Sequence, residues 1–252
     1  MLGARTRRAR DGEGPAGRAI LDGSLKIYMG PVGDLLSGWG SGTVLDMPSG
    51  SGWLAGLLPA GAEIDGIDLY APKPAGYREF SAADLDEGVP AHLGRYDAIV
   101  SCEGIEHVGN PLKLLRSAAA HLNPGGRIIV TTPNIWYPEA KLKFLLRGFF
   151  PGFPSLAGAI RPGRHMHITP WSFAWLYLYL TLAGFEDITL HDLDQPKPKH
   201  AWTKIFGLPQ ARYCRRRART AETEEERRYW ETCASDQAIY GRNLVVSARG
   251  SE

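Results

Sequence analysis

Apolar and polar positions along this chain fall into short blocks whose period changes from helix-like to strand-like and back. Ile20, Leu21, Leu25, Tyr28 and Met29 can share one face of a helix over about Ala19–Leu36, a pattern weakened by Gly23 and Gly30. A strand is predicted at Thr43–Met47, followed by a Pro-Ser-Gly-Ser-Gly turn and a short apolar helix at Trp53–Leu58. Further strands are predicted at Glu63–Leu69, Tyr77–Ala82, Tyr96–Cys102 and the β-branched run Arg127–Thr132. Between the last two, Asn110 and Pro111 open a helix with Leu112, Leu115, Ala119 and Leu122 at helical spacing, and Asn123-Pro124-Gly125-Gly126 closes it.

Regularity breaks over residues 135–169, which read as an inserted cap. It resumes with a helix over about Pro170–Ala183 and a strand at Phe185–His191. Asp192–Gln210, with Pro196, Pro198 and Pro209, reads as loop. A charged helix follows within a C-terminal excursion over residues 192–240, and Gly241–Ala248 is the final strand. Strands alternating with helices argue for a doubly wound, mostly parallel sheet whose ligand crevice lies beyond the carboxyl ends of the strands. The expected organisation is a basic tail over residues 1–18 and a single α/β domain over residues 19–252.

Composition narrows the classes. No apolar run is long enough to span a bilayer, and the Arg-rich N-terminus lacks the apolar core of a secretory signal. Cys102, Cys214 and Cys233 have no paired spacing, which fits reduced thiols in a cytoplasmic protein and shows no zinc motif. A net charge of +2 gives no reason to expect a nucleic-acid partner. The cluster Arg212, Arg215, Arg216, Arg217 and Arg219 precedes Glu222, Glu224, Glu225 and Glu226, so the segment reads as a solvated helix with Glu224 and Arg228 paired at i,i+4.

Candidate chemistry sits at the strand ends. Asp46, Asp68 and Asp84 each close a predicted strand, so three carboxylates rim one crevice. Such a rim disfavours pyrophosphate and suits a cofactor carrying a sulfonium and an ammonium. The competing reading of each aspartate is a turn or helix cap. Gly50-Ser51-Gly52-Trp53-Leu54-Ala55 also matches a dinucleotide fingerprint, so an NAD(P)-dependent oxidoreductase or epimerase stands as an alternative.

Taken in order, Val44-Leu45-Asp46-Met47-Pro48-Ser49-Gly50-Ser51-Gly52, Gly66-Ile67-Asp68-Leu69, Ala83-Asp84-Leu85, Tyr96-Asp97-Ala98-Ile99-Val100 and Glu103-Gly104-Ile105-Glu106-His107-Val108, then Leu122–Gly126 and Thr132-Pro133-Asn134, resemble the motifs of class I S-adenosylmethionine-dependent methyltransferases, notably those acting on quinones, small molecules and glycans. The resemblance spans about Gly40–His191 and implies a Rossmann-like seven-stranded sheet with an antiparallel last strand. Pro48 stands where the motif more often has glycine.

The resemblance also implies roles. Asp68 with Leu69 would take the ribose hydroxyls, Asp84 with Leu85 the adenine, and Pro48, Gly50 and Gly52 the methionine part. Asp46, Cys102 and Glu103 would lie near the cationic end. His107 is the candidate base for an acceptor hydroxyl, and Glu103 and Glu106 stand beside it. No resident metal is expected; a divalent ion on Glu103, Glu106 and His107 is the alternative. From the cap, Trp136, Tyr137, Arg164, His165 and His167 are the candidate acceptor-binding residues. The implied reaction is O-methylation of a small-molecule or glycan hydroxyl, which includes lipid-linked ones; a noncatalytic S-adenosylmethionine-binding module is a further alternative.

Trp171, Phe173, Trp175, Tyr177 and Tyr179 read as cap packing. Phe144, Leu145, Leu146, Phe149, Phe150 and Phe153, flanked by Lys141, Lys143 and Arg147, are expected to be buried against the core. Their alternative is an amphipathic surface for peripheral contact at the inner membrane face.

Overall fold

The computed structural model describes residues 26–151, 166–194 and 201–251. Seven strands form one sheet in the order β3-β2-β1-β4-β5-β7-β6: β1 (Thr43–Asp46), β2 (Glu63–Ile67), β3 (Phe80–Ser81), β4 (Tyr96–Cys102), β5 (Leu122–Pro133), β6 (Phe185–Leu190) and β7 (Asn243–Gly250). Every neighbouring pair from β3 to β5 is parallel, and β7 runs antiparallel between β5 and β6. The carboxyl ends of β1, β2 and β4 therefore open side by side, where the order reverses around β1 and β4 and a ligand crevice forms.

Period-2 alternation sorts the strand residues onto the two faces. Leu45, Ile99, Ile128, Val130 and Val246 point to one face. There they pack with Leu114, Leu115 and Ala118 of α2 (Pro111–Ala120) and Phe173, Leu176 and Leu180 of α4 (Phe173–Leu182). Val44, Ala98, Val100, Ile129 and Val245 point to the other, against Met29, Val32 and Leu36 of α1 (Met29–Trp39). Asn110 caps α2 by accepting from the Lys113 amide, with Pro111 at the first turn where its missing N–H is no loss.

Several expectations shift. The first helix begins at Met29; Ile20, Leu21 and Leu25 lie outside the described residues. Trp53–Leu57 is a 3-10 turn, and the third strand shrinks to two residues. Asn123–Gly126, expected to stop a helix, instead lies inside β5, where the register slips between Tyr96 and Ala98. A Cβ at Gly126 would sit 2.8 Å from the Asn123 carbonyl, so only glycine fits that slip.

The largest difference is α5 (Ala201–Arg219), where loop was expected to reach Gln210. Thr203, Gly207, Ala211, Cys214 and Ala218 form its buried stripe of small residues at helical spacing, and exposed Pro209 is accommodated on the outer side. Helix α6 (Glu224–Cys233) follows, with Glu224 3.2 Å from Arg228 as expected and also paired with Arg227, and α7 (Asp236–Tyr240) leads into β7.

Of the apolar cap residues, Phe150 is buried and stacks on Phe144 at 4.2 Å. Leu145 and Leu146 of α3 (Pro138–Arg147) remain 78% and 74% exposed, against the expectation of burial, because this helix buries only Pro138 and Ala140. Phe153 lies outside the described residues. Among the described residues no helix is long and apolar enough to cross a membrane.

Candidate active site

Three adjacent strands each deliver an acid to the crevice: Asp46 ends β1, Asp68 follows β2 and Glu103 follows β4. Asp46 is fully buried and accepts a hydrogen bond from the Tyr77 hydroxyl. Burial pushes its carboxyl up to about 7; the Tyr77 bond opposes the rise and the charge of Asp68 adds to it. Asp68 ties two loops together, its Oδ1 accepting from the amides of Tyr70 and Ala71 at 2.8 Å and its Oδ2 from the Gly50 amide at 3.0 Å.

Glu103 holds a left-handed backbone, φ 51°, uncommon for a residue with a side chain. Its amide donates to the Thr131 carbonyl at 2.9 Å and hydroxyl at 3.2 Å, which fixes the bend. Gly104 follows because Pro48 lies against it: a Cβ there would be 2.1 Å from Pro48 Cδ. One turn on, Glu106 is buried, its Oε2 accepting from Thr132 Oγ1 at 2.9 Å while its Oε1 has no hydrogen-bond partner among the described residues. Burial lifts both glutamates to about 7. The charge of Glu106 adds for Glu103, and Lys26 opposes both. Tyr28 is buried beside this group, and desolvation followed by the charge of Glu103 pushes its hydroxyl up.

His107 Nδ1 lies 2.7 Å from the Met166 carbonyl oxygen. A carbonyl only accepts, so Nδ1 carries a proton, and in the neutral ring the lone pair is on Nε2, 3.9 Å from Glu106 Oε1. The cap segment is held there by Ile168 and Thr169 amides donating to the Glu106 carbonyl at 2.8 and 3.1 Å and by Thr169 Oγ1 donating to the Val108 carbonyl. His167 meets His107 edge-on at 4.9 Å between ring centres; burial lowers its pKa, and His107 adds to the fall. Glu106, His107 and His167 each offer a ligand atom, all within 4.8 Å of one another, a set that could hold a metal ion.

The structure thus brings Asp46, Pro48, Gly50, Asp68, Cys102, Glu103 and Glu106 to the carboxyl ends of β1, β2 and β4, with His107 beside Glu106 and His167 against His107. Asp84 is exposed and caps the following turn by accepting from the Asp86 amide, the competing reading for that residue. Leu85 is buried in the core and Leu69 is exposed. Trp136 faces elsewhere, lining a cavity of about 470 Å³ with Lys141, Phe173, Trp175 and Gln210, while Tyr137 lies under Arg242. Arg164 and His165 lie outside the described residues. Residues without an obvious local signal also enter the site: Lys26, Tyr28, Tyr77 and Thr131.

The donor set fits S-adenosylmethionine. The crevice is lined by carboxylates, Ser49 and Ser101 hydroxyls are buried without hydrogen-bond partners among the described residues, and at Gly50, φ 49°, no atom stands within 4 Å of a Cβ position. It does not fit a dinucleotide: the turn after Gly52 is 3-10 and short, so no α-helix N-terminus awaits a pyrophosphate.

Comparison with known proteins agrees. A family model described as a methyltransferase domain matches residues 30–190. The chain belongs to this family, the class I S-adenosylmethionine-dependent methyltransferases. Over 106 residues it is 35% identical to a ubiquinone biosynthesis O-methyltransferase of Dechloromonas aromatica, a match covering 36% of this chain and 44% of that protein. The chain thus spans less than half the length of that curated relative. A SAM-dependent methyltransferase of Archaeoglobus fulgidus shares the fold, with a TM-score of 0.52 at 15% identity over 92% of this chain and 99% of that one. Human N-acetylserotonin methyltransferase, crystallised with SAM, gives 0.51 at 13% identity, covering 94% and 56%.

Proposed function

We propose that this protein transfers a methyl group from S-adenosylmethionine to a hydroxyl of a small molecule or glycan, with His107 as the base. The observation that carries this reading is the His107 imidazole, its Nδ1 proton committed to the Met166 carbonyl and its Nε2 beside the buried Glu106 carboxyl, at the rim of a carboxylate-lined crevice. The Dechloromonas relative, named an O-methyltransferase, supports an oxygen acceptor.

Asp68 receives the ribose hydroxyls, and Gly50 and Gly52 border the methionine part; Asp84 caps its own turn and Leu85 packs in the core, so neither is assigned to the adenine. Asp46 and Glu103 face the cationic end. S-adenosylmethionine, when bound, supplies a methyl group on a positively charged sulfur, which keeps the bonding pair as the methyl leaves. His107 Nε2 takes the hydroxyl proton as the new carbon–oxygen bond forms, and ionised Glu106 stabilises the imidazolium. Holding acceptor oxygen and methyl carbon in line supplies much of the rate.

A second reading rests on the ligand geometry of Glu106, His107 and His167: a divalent cation held there would lower the pKa of the acceptor hydroxyl. Metal content after dialysis and calorimetry with Mg²⁺, Mn²⁺ or Zn²⁺ alone separate it from the base reading.

The test is calorimetry with S-adenosylmethionine, S-adenosylhomocysteine and NADH on one sample, followed by a screen of phenolic and glycosidic acceptors. The first two should bind and NADH should not, and Asp68→Ala should weaken binding roughly 10–100-fold, as expected for lost hydrogen bonds to a charged group. NADH binding alone, or unchanged affinity in Asp68→Ala, overturns the assignment.

A further inference from the structure

The outer face of α3 and α5 is not accounted for by methyl transfer. The two helices are neighbours, joined by Lys141 Nζ donating to Gln210 Oε1. Of thirteen exposed large hydrophobic residues among those described, seven lie on them, including Leu145, Leu146, Ile205 and Leu208. These residues are not unfinished core. Helix α5 already packs inward through its small-residue stripe, so tightly that a Cβ at Gly207 would lie 2.4 Å from the Tyr240 hydroxyl.

Charge on this face is one-sided. The 19 residues of α5 hold no Asp or Glu, while Lys204, Arg212, Arg215, Arg216 and Arg219 are exposed and form no ion pair among the described residues. On α3, exposed Lys143 and Arg147 flank the leucines, and its one acid, Glu139, lies 4.0 Å from Arg242. All of α5 also lies beyond the family match, which ends at residue 190. In a chain of net charge +2, such segregation marks a surface rather than an average.

We propose that this face docks on an anionic lipid bilayer, the exposed leucines, Ile205 and Phe206 entering the headgroup boundary while the lysines and arginines meet lipid phosphates. Apolar side chains within a cationic field are the combination that such a surface rewards. Nucleic acid would use the arginines and leave the leucines in water. The chain leaves β5 at Pro133 and enters α3 at Pro138, so the docked face begins beside the crevice. Docking is independent of the acceptor assigned above.

The full chain is floated with vesicles of phosphatidylcholine alone and with added phosphatidylglycerol, beside Leu145→Ser/Leu146→Ser and Arg212→Gln/Arg215→Gln/Arg216→Gln, with circular dichroism and S-adenosylmethionine titration on each sample. The native chain should rise with the anionic vesicles only, less so at high salt. The arginine variant should partition roughly 100-fold more weakly, each cation near an anionic surface contributing about fivefold. The leucine variant should also detach with its fold and cofactor binding intact. Failure of the native chain to float overturns the proposal. So does full retention of the leucine variant, which would leave a purely electrostatic patch; a native chain that floats but fails to bind S-adenosylmethionine counts against the methyltransferase reading and not against docking.

Discussion

The crevice and the outer helical face sort charge in opposite ways. Inside, Asp46 and Glu106 are buried and Glu103 half-buried at fixed positions, each held by strand ends and by one or two specific hydroxyls. Outside, the cations of α5 are numerous and exposed, and among the described residues only Arg217 has an ion-pair partner, Glu226 at 3.3 Å. Buried charges act through desolvation and strong local coupling, whereas exposed ones act through a summed field that salt screens. A single change inside should therefore alter chemistry, folding and pH response, while a single change outside should alter little.

The comparison is put under greatest strain at His107. His107→Asn should lower turnover by about 10²–10⁴, the usual contribution of a positioned base, with S-adenosylmethionine affinity preserved. Rapid-quench measurement at saturating cofactor checks this, and full turnover would move the base to His167.

Next is Gly104→Ala, whose methyl group must displace Pro48. Overpacking of this kind costs about 1–3 kcal/mol, read as a lower urea midpoint. Cofactor affinity should fall with it, because Pro48 borders the Gly50 turn.

The pH response has a definite sign. Asp46, Glu103 and Glu106 sit at about 7 in the folded protein, well above the ordinary carboxylate value of about 4. Their contribution to stability is complete below that ordinary value and is lost as pH rises through about 7. Asp65 and Asp97, held below the usual range by hydrogen bonds that outweigh their burial, act oppositely and lose their contribution only in acid. Between roughly pH 5 and 8 the ligand-free protein should therefore weaken as pH rises, and less so in Asp46→Asn. A bound cation pulls the same carboxyls down, so S-adenosylmethionine binding near neutrality should release protons, seen as a dependence of binding heat on buffer ionisation enthalpy.

The smallest effect is expected on the inner side of α5. Gly207→Ala presses on the outer end of the Tyr240 ring, whose hydroxyl donates to the Lys204 carbonyl, but alanine returns about 1 kcal/mol of helix propensity. Its urea midpoint should move less than that of Gly104→Ala, where the obstacle is a proline ring; the reverse order would mean that α5 is docked as rigidly as the crevice.

Much of the crevice was legible in the sequence because its acids sit at strand ends, and strand ends can be read from local pattern. Tyr96–Cys102 and the Pro111 helix start appear where their periodicity and capping residues place them. Tyr77 was not legible as a partner of Asp46, since 31 residues separate them and nothing local announces the pairing. Thr131 and Glu103 meet only because β4 and β5 are paired in register. The first half of helix α5, up to Gln210, was missed for the converse reason: Gly207 and Pro209 are local breakers, outweighed by a stripe of small residues whose value exists only against α7 and the core. Asp84 shows the limit of a resemblance, its side chain already occupied at a turn.

The bond from His107 Nδ1 to the Met166 carbonyl has a kinetic consequence. The imidazole takes its orientation from a stretch of chain that arrives 59 residues later and is pinned to Glu106 and Val108. Peeling that stretch away releases the Nδ1 proton from its carbonyl, and the ring then divides its time between two tautomers. The proposed base therefore keeps a single tautomer only while Met166 is seated, so an acceptor too bulky to let Met166 settle would be methylated more slowly than it binds.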